Sequence, residues 1–376
     1  MIEINEGRID VSPREARYDE GRLALLQAAY AQLVESGRVH GASFLMARDG
    51  KVFAHRAMGR RSFEPGSGPL LPGSVKGIAS ITKVITATAV MKLVEDGVLW
   101  LDQPVSTLVE EMRNPAHGQI TLWHLLTHTS GLAPDGGYYA EPYPVNLFER
   151  LEAKGWLQSA ALAGPPRFAP GEQWAYSSVG YVLLAEVVAR ASGRSYPRYV
   201  AEEIFGPLGM EQSGFAIPEA RWPEVAWVGP WQLDMQRAIA SGAAAGAAPP
   251  GGGGAYSTLQ DLFRLGQCFL EGGTVGGRRV LGKKAVQEMT RNQLAGVPAF
   301  HWGHRLKDFR HGLGWGFYGD GIPFGPATFL HAGWGWCSLI VDPVERFVFV
   351  AFLQDARDFD PDLQVKPPAI AFSGLR

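Results

Sequence analysis

The stretch GASFLMARDGKVFAHRAMG, residues 41–59, decides the fold of this chain. Two apolar runs with strand character flank RDGK, and Asp-Gly between such runs is a strong signal for a β-hairpin. Just before the hairpin, apolar residues recur at helical spacing in EGRLALLQAAYAQLVES, residues 20–36. A helix followed by a hairpin predicts an antiparallel sheet with a helix on one face.

The far end of the chain continues the same pattern. Residues 329–354, FLHAGWGWCSLIVDPVERFVFVAFLQ, are typical of two strands, a turn at DPVER and a third strand. Residues 78–300, in contrast, show mostly helical spacing. We therefore predict an α/β (α+β) fold in which both chain ends share one sheet. The expected domains are a discontinuous sheet domain, residues 1–77 and 301–376, and a mostly helical domain, residues 78–300.

Composition limits the partners and the kinds of site that we expect for this protein. The chain has 376 residues, 46% hydrophobic and 19% charged, with a formal net charge of −2, so we expect neither nucleic acid nor a membrane as partner. Two cysteines, Cys268 and Cys337, are too few for a disulfide framework or a cysteine-rich metal site. The N-terminus has no signal-peptide pattern, and no window approaches about 18 consecutive apolar residues. The expected location is the cytoplasm.

A serine and a lysine stand three residues apart at the start of an apolar run, in IASITKVITA, residues 78–87. A cation at a helix N-terminus is disfavoured by about 0.3–1 kcal/mol. Residues that break a local preference of this kind are expected at functional positions. Residues i and i+3 lie on one face of a helix, so Ser80 and Lys83 can meet. Serine needs a base to take its proton, and lysine can act as one only when its pKa is lowered by burial or by nearby positive charge. Ser80 is therefore a candidate nucleophile and Lys83 its candidate base.

Further motifs follow in order. They are LTHTSGL (126–132), FAPGEQWAYSSVGYVLLAEVVARASG (168–193), FGPLGMEQSGF (205–215), GGGGAYSTLQDLFR (251–264) and HAGWGW (331–336). Together with SITK they make the chain resemble the serine β-lactamase and penicillin-binding-protein-like family, and within it the carboxylesterases of family VIII. The resemblance spans roughly residues 20 to 355.

The resemblance implies a β-lactamase/transpeptidase-like fold, with an antiparallel sheet, flanking helices and an inserted helical domain. It also implies roles: Ser80 as nucleophile, Lys83 as base or proton partner, and Tyr176 of YSS as a general base. Residues 331–333 would line the site on a strand, and the backbone N–H of Trp334 would join that of Ser80 as the oxyanion hole. Whether Lys83 or Tyr176 takes the first proton is left open.

Two departures from the family pattern bear on the substrate. The second motif ends in Ser178 rather than Asn, and the third begins with His331 rather than Lys, so two groups that suit an anionic, amide-bearing substrate are missing. Aromatic residues in or beside the motifs, among them Tyr138 and Trp336, could line an apolar pocket. We predict that Ser178, His331, Gly333, Tyr138 and Trp336 bind substrate.

The predicted function is a serine hydrolase, a carboxylesterase that cleaves small or medium neutral esters through an acyl-enzyme on Ser80. The predicted enzyme needs no metal and no organic cofactor, and its partner is a small-molecule ester. The alternatives are a β-lactamase, a DD-peptidase or an acyltransferase of the same family, or a non-hydrolytic β-lactam sensor. Acyl chain length, stereochemical preference and oligomeric state are left open.

Overall fold

The fold is known from a computed structural model, which describes residues 2–135, 147–152, 154–301, 304–317, 324–354 and 360–376. Its strands are β1 (Ile4–Glu6), β2 (Gly41–Arg48), β3 (Lys51–Gly59), β4 (Lys76–Gly77), β5 (Tyr256–Ser257), β6 (Thr274–Val275), β7 (Arg278–Arg279), β8 (Ala299–His301), β9 (His304–Leu306), β10 (Gly316–Phe317), β11 (Phe329–Gly333), β12 (Cys337–Asp342) and β13 (Phe347–Leu353).

Helices supply the rest of the regular structure. They are α1 (Glu20–Glu35), α2 (Thr82–Glu95), α3 (Leu122–Leu126), α4 (Leu147–Glu152), α5 (Ser178–Ser192), α6 (Tyr196–Val200), α7 (Gly206–Leu208), α8 (Pro230–Ala240), α9 (Leu259–Leu270), α10 (Lys283–Met289), α11 (Pro361–Gln364) and α12 (Lys366–Phe372). Short 3₁₀ and π turns connect several of them.

One sheet contains strands from both ends of the chain. Its order is β1-β3-β2-β13-β12-β11-β10, and every neighbouring pair is antiparallel. The β2–β3 hairpin turns at Asp49 and Gly50, where φ is 52° and 77°. Two central residues with positive φ match the right-handed twist of the flanking strands, and Asp-Gly adopts this turn readily. The predicted antiparallel sheet with flanking helices is confirmed.

Helices cover both faces of the sheet. On one face α1 and α12 enclose an apolar cluster that includes Phe44 and Phe349. On the other face lies the larger cluster, to which β2 contributes Leu45 and α2 and α5 contribute most of their side chains. Because both faces are covered, β2 is buried along its whole length instead of alternating between buried and exposed residues.

The helix α9 packs directly on the second face. A Cβ atom at Gly266 would lie 2.9 Å from a methyl carbon of Val348, so only glycine allows the helix this close to the sheet. The helices α2 and α5 pack further from the sheet. In sequence they lie between the N-terminal and the C-terminal strands of that sheet. The domain limits at residues 77 and 300 stay a prediction.

Candidate active site

A tight turn places Ser80 at the entrance of α2. The chain leaves β4 at Gly77 and passes through a 3₁₀ turn, Ala79–Ile81, directly into the helix. Ala79 has a φ of 43°, a conformation that costs a non-glycine residue about 1–3 kcal/mol and is found mostly at functional sites. Ser80 remains partly accessible, while the neighbouring Ile81 is fully buried. The turn therefore holds one hydroxyl at the surface of an apolar core.

Lys83 lies beneath that hydroxyl with no solvent exposure. Its Nζ is 3.0 Å from Ser80 Oγ, 3.1 Å from Ser178 Oγ and 2.6 Å from the carbonyl oxygen of Gly252. Burial lowers the pKa of Lys83 to about 8, and the nearby carboxyl of Asp135 opposes that shift. An amine with this pKa is partly neutral near physiological pH, so it can accept a proton.

Tyr176 forms the third side of the site. Its ring centroid is 4.8 Å from Lys83 Nζ. On its other side the ring stacks on His128, with centroids 4.3 Å apart and planes 29° apart. The imidazole of His128 is fixed in turn, because its Nδ1 accepts the backbone N–H of Ser177 at 3.1 Å. Burial holds the pKa of His128 well below its ordinary value, so it supports Tyr176 as a neutral aromatic platform.

Sequence reasoning missed Asp135. Its two carboxylate oxygens accept the backbone N–H of Ser178 at 2.7 Å and the hydroxyl of Ser178 at 2.6 Å. Burial raises the pKa of Asp135, and Lys83 together with the Ser178 hydrogen bonds opposes that rise. No local pattern marks this residue, since it stands 43 positions from the serine it binds. Ser178, which sequence reasoning assigned to substrate, is itself buried between Asp135 and Lys83.

The strand β11 reaches the Ser80 turn through Gly333. A Cβ atom there would lie 2.4 Å from the carbonyl oxygen of Ile78 and 3.1 Å from the Cβ of Ala79, so only glycine permits the contact. Trp334 follows at once, with its side chain 49% exposed. Neither the Ser80 amide nor the Trp334 amide donates to another element within the described ranges.

The other predicted substrate residues divide into three cases. His331 is buried beside Tyr176, with ring centroids 6.4 Å apart; burial and the positive charge of Lys83 lower its pKa to about 3, so it is neutral. Trp336 packs against the apolar cluster between the sheet and α1, on the face away from Ser80. Tyr138 lies outside the described residues.

Two broader features concern metals and membranes. Among the residues that the structure describes, no three His, Cys, Asp or Glu side chains are grouped so as to hold a metal ion. Over the same ranges, no helix combines the length and the apolar character that crossing a bilayer requires. Cys268 and Cys337 are both buried as free thiols.

The chain is similar to known proteins in sequence and in fold. Esterase EstB of Burkholderia gladioli is 33% identical over 210 residues, which are 52% of this chain and 52% of that protein. The alignment thus spans about half the length of this curated relative. A crystal structure of a family VIII carboxylesterase superposes with a TM-score of 0.74 at 22% identity and full coverage of both chains.

Other solved structures share the fold. A penicillin-binding protein homologue from Caulobacter crescentus gives a TM-score of 0.75 at 20% identity, covering 98% of this chain and all of that one. A class C β-lactamase gives 0.74 at 18% identity, covering 95% and 97%. The family model described as Beta-lactamase matches residues 26–371, nearly the whole sequence. The chain therefore belongs to the beta-lactamase family of serine hydrolases.

Proposed function

We propose that this protein is a carboxylesterase that cleaves neutral esters through an acyl-enzyme on Ser80. The observation that carries the proposal is the 3.0 Å contact between Ser80 Oγ and the buried Lys83 Nζ. With a pKa of about 8, roughly one lysine in ten is neutral at pH 7. At the ordinary pKa of 10.5 the neutral fraction would be about one in three thousand. Burial therefore raises the fraction of Lys83 that can act as a base about 300-fold.

The first half of the reaction transfers the acyl group to the enzyme. Lys83 takes the Ser80 proton as Oγ attacks the ester carbonyl, and the amides of Ser80 and Trp334 stabilise the tetrahedral oxyanion. The proton then passes to the leaving alcohol, either from Lys83 or through the phenol of Tyr176, whose ring centroid is 4.8 Å from that amine. In the second half, a water molecule gives a proton to Lys83 or Tyr176 and attacks the acyl carbonyl. The bond to Ser80 Oγ then breaks, Ser80 takes the proton back, and the carboxylic acid leaves.

Charge in the site supports an ester as the substrate. His331 stands where family members that bind carboxylates carry a lysine, and burial keeps it neutral. Asp135, with its carboxylate behind Ser178, adds negative charge near the same site. An anionic β-lactam or peptide carboxylate would therefore meet no compensating cation at His331, whereas a neutral ester needs none. The esterase relative agrees with this choice.

A substrate panel tests the proposal. The purified protein is assayed with p-nitrophenyl esters of increasing acyl length beside the β-lactam nitrocefin, as wild type and as Ser80→Ala. Ser36→Ala, at the end of α1 on the far side of the sheet, is the control for serine loss alone. We expect sustained ester turnover that only Ser80→Ala abolishes. Nitrocefin cleaved faster than every ester would make the protein a β-lactamase, and a single burst of p-nitrophenol without turnover would make it a sensor.

A further inference from the structure

The hydrogen-bond partners of Lys83 restrict where its neutral amine can direct its lone pair. Among the residues that the structure describes, three oxygens lie within hydrogen-bond distance of its Nζ: those of Ser80, Ser178 and Gly252. A protonated amine donates to all three. A neutral amine has two N–H groups and one lone pair, so one of these oxygens must donate to it instead.

Among these three oxygens, only that of Ser80 can be the donor. The Gly252 oxygen belongs to a carbonyl, which has no proton to give. The Ser178 hydroxyl has one proton, but it donates that proton to Asp135 at 2.6 Å. The neutral amine therefore donates to Gly252 and Ser178 and turns its lone pair towards the Ser80 hydroxyl. That is the arrangement in which Lys83 can act as the base.

We propose that Asp135 is a positioning residue that, by accepting the hydrogen bond of the Ser178 hydroxyl, directs the lone pair of Lys83 at Ser80. Asp135 also accepts the Ser178 backbone N–H at 2.7 Å, so both of its oxygens are bound to one residue and its orientation is fixed. The proposal deepens the proposed function and rests on it only for the role of Ser80 as nucleophile, not for the ester as substrate.

Replacing Asp135 with asparagine reverses one hydrogen bond. The asparagine oxygen still accepts the Ser178 backbone N–H, so its amide nitrogen faces the Ser178 hydroxyl and donates to it. The hydroxyl proton is then free to point at Lys83 and to occupy the lone pair that Ser80 needs. A second change, Ser178→Ala, removes the competing donor, so it should restore part of what Asp135→Asn loses.

The test measures how fast a fluorophosphonate probe labels Ser80. Ser80 Oγ attacks phosphorus, fluoride leaves and the serine proton passes to the base, so the rate reports activation of the nucleophile whatever the natural substrate is. Intact-mass spectrometry follows labelling in wild type, Asp135→Asn, Ser178→Ala and the double variant. Asp261→Asn is the matched control, since Asp261 in α9 likewise accepts one backbone N–H, from Gln212, and one serine hydroxyl, from Ser213.

At about pH 9, above the Lys83 pKa of about 8, the amine is mostly neutral with or without the Asp135 charge. Under that condition we expect Asp135→Asn to slow labelling about tenfold, the cost of breaking one competing hydrogen bond. The double variant should label faster than Asp135→Asn and within about threefold of Ser178→Ala, and Asp261→Asn should match wild type. Equal rates for wild type and Asp135→Asn would overturn the proposal, as would a double variant slower than either single one, or a wild-type Ser80 that the probe does not label.

Two outcomes need separate treatment. If Asp135→Asn loses its cooperative melting transition, Asp135→Ala replaces it, because alanine also frees the Ser178 proton; the same rescue by Ser178→Ala is expected. If labelling behaves as expected but no ester is turned over, the role of Asp135 stands and the carboxylesterase proposal fails.

Discussion

Gly333→Ala is expected to disable catalysis while leaving the fold intact. The added methyl group would lie 2.4 Å from the carbonyl oxygen of Ile78 and 2.5 Å from Sγ of Cys337. Ordinary contacts of this kind are about 3.4 Å or longer, so β11 and the Ser80 turn must separate by about 1 Å. Trp334, the next residue, moves with the strand, and its amide leaves the place where it is proposed to meet the oxyanion.

The size of the effect follows from that displacement. Loss of one oxyanion donor lowers kcat by about 10²–10³, and a misplacement of about 1 Å elsewhere in a site has a similar cost. Overpacking a buried strand destabilises a protein by about 1–3 kcal/mol. We therefore expect kcat on p-nitrophenyl butyrate to fall at least about a hundredfold, with a smaller change in KM, and the melting temperature to fall by a few degrees.

A matched variant separates catalysis from packing. A methyl group added at Gly316, on the neighbouring strand β10, would lie 3.6 Å from the carbonyl oxygen of Leu330, which is ordinary contact, so Gly316→Ala should keep kcat within about twofold. Both variants are compared by steady-state kinetics and by thermal melting followed by circular dichroism. A folded Gly333→Ala enzyme that keeps more than about half of its kcat would refute the reasoning, because the close approach of β11 would then not matter for the oxyanion.

Three further results are expected. Because the pKa of Lys83 is lowered to about 8 and the neutral amine is the base, kcat/KM for a neutral ester should rise about tenfold per pH unit up to that value and then level off; a flat profile below it would contradict this role. Lys83→Met, which keeps the apolar packing of α2, should lower kcat by about 10²–10⁴ with little loss of melting temperature, and a variant that stays active would exclude Lys83 as the base. His331→Lys should raise the nitrocefin-to-ester ratio of kcat/KM about tenfold by supplying a cation for a carboxylate, and an unchanged ratio would show that residue 331 does not select the substrate.

Short-range chemistry explains why much of the fold was predictable. Asp-Gly at 49–50 specifies a turn through backbone conformations that few residue pairs adopt, so the β2–β3 hairpin could be located directly. The covered sheet was harder, because β2 has no alternation of buried and exposed residues. Trp336 shows the limit at the level of single side chains. Trp336 lies in the turn between β11 and β12 with a φ of 60°, and the motif alone did not tell on which side of the sheet its side chain would pack.

The sequence by itself determined the pairing of Ser80 with Lys83, because residues three apart on a helix must be neighbours. Only the tertiary structure decided what surrounds that pair. Ser178 and Gly252 come from distant segments, and their oxygens meet at the Lys83 amine only after the helices have packed on the sheet. Asp135, from a third segment, binds Ser178 and so acts on that amine indirectly. The lowered pKa of Lys83 has the same origin, since desolvation depends on the whole core and no local motif encodes it.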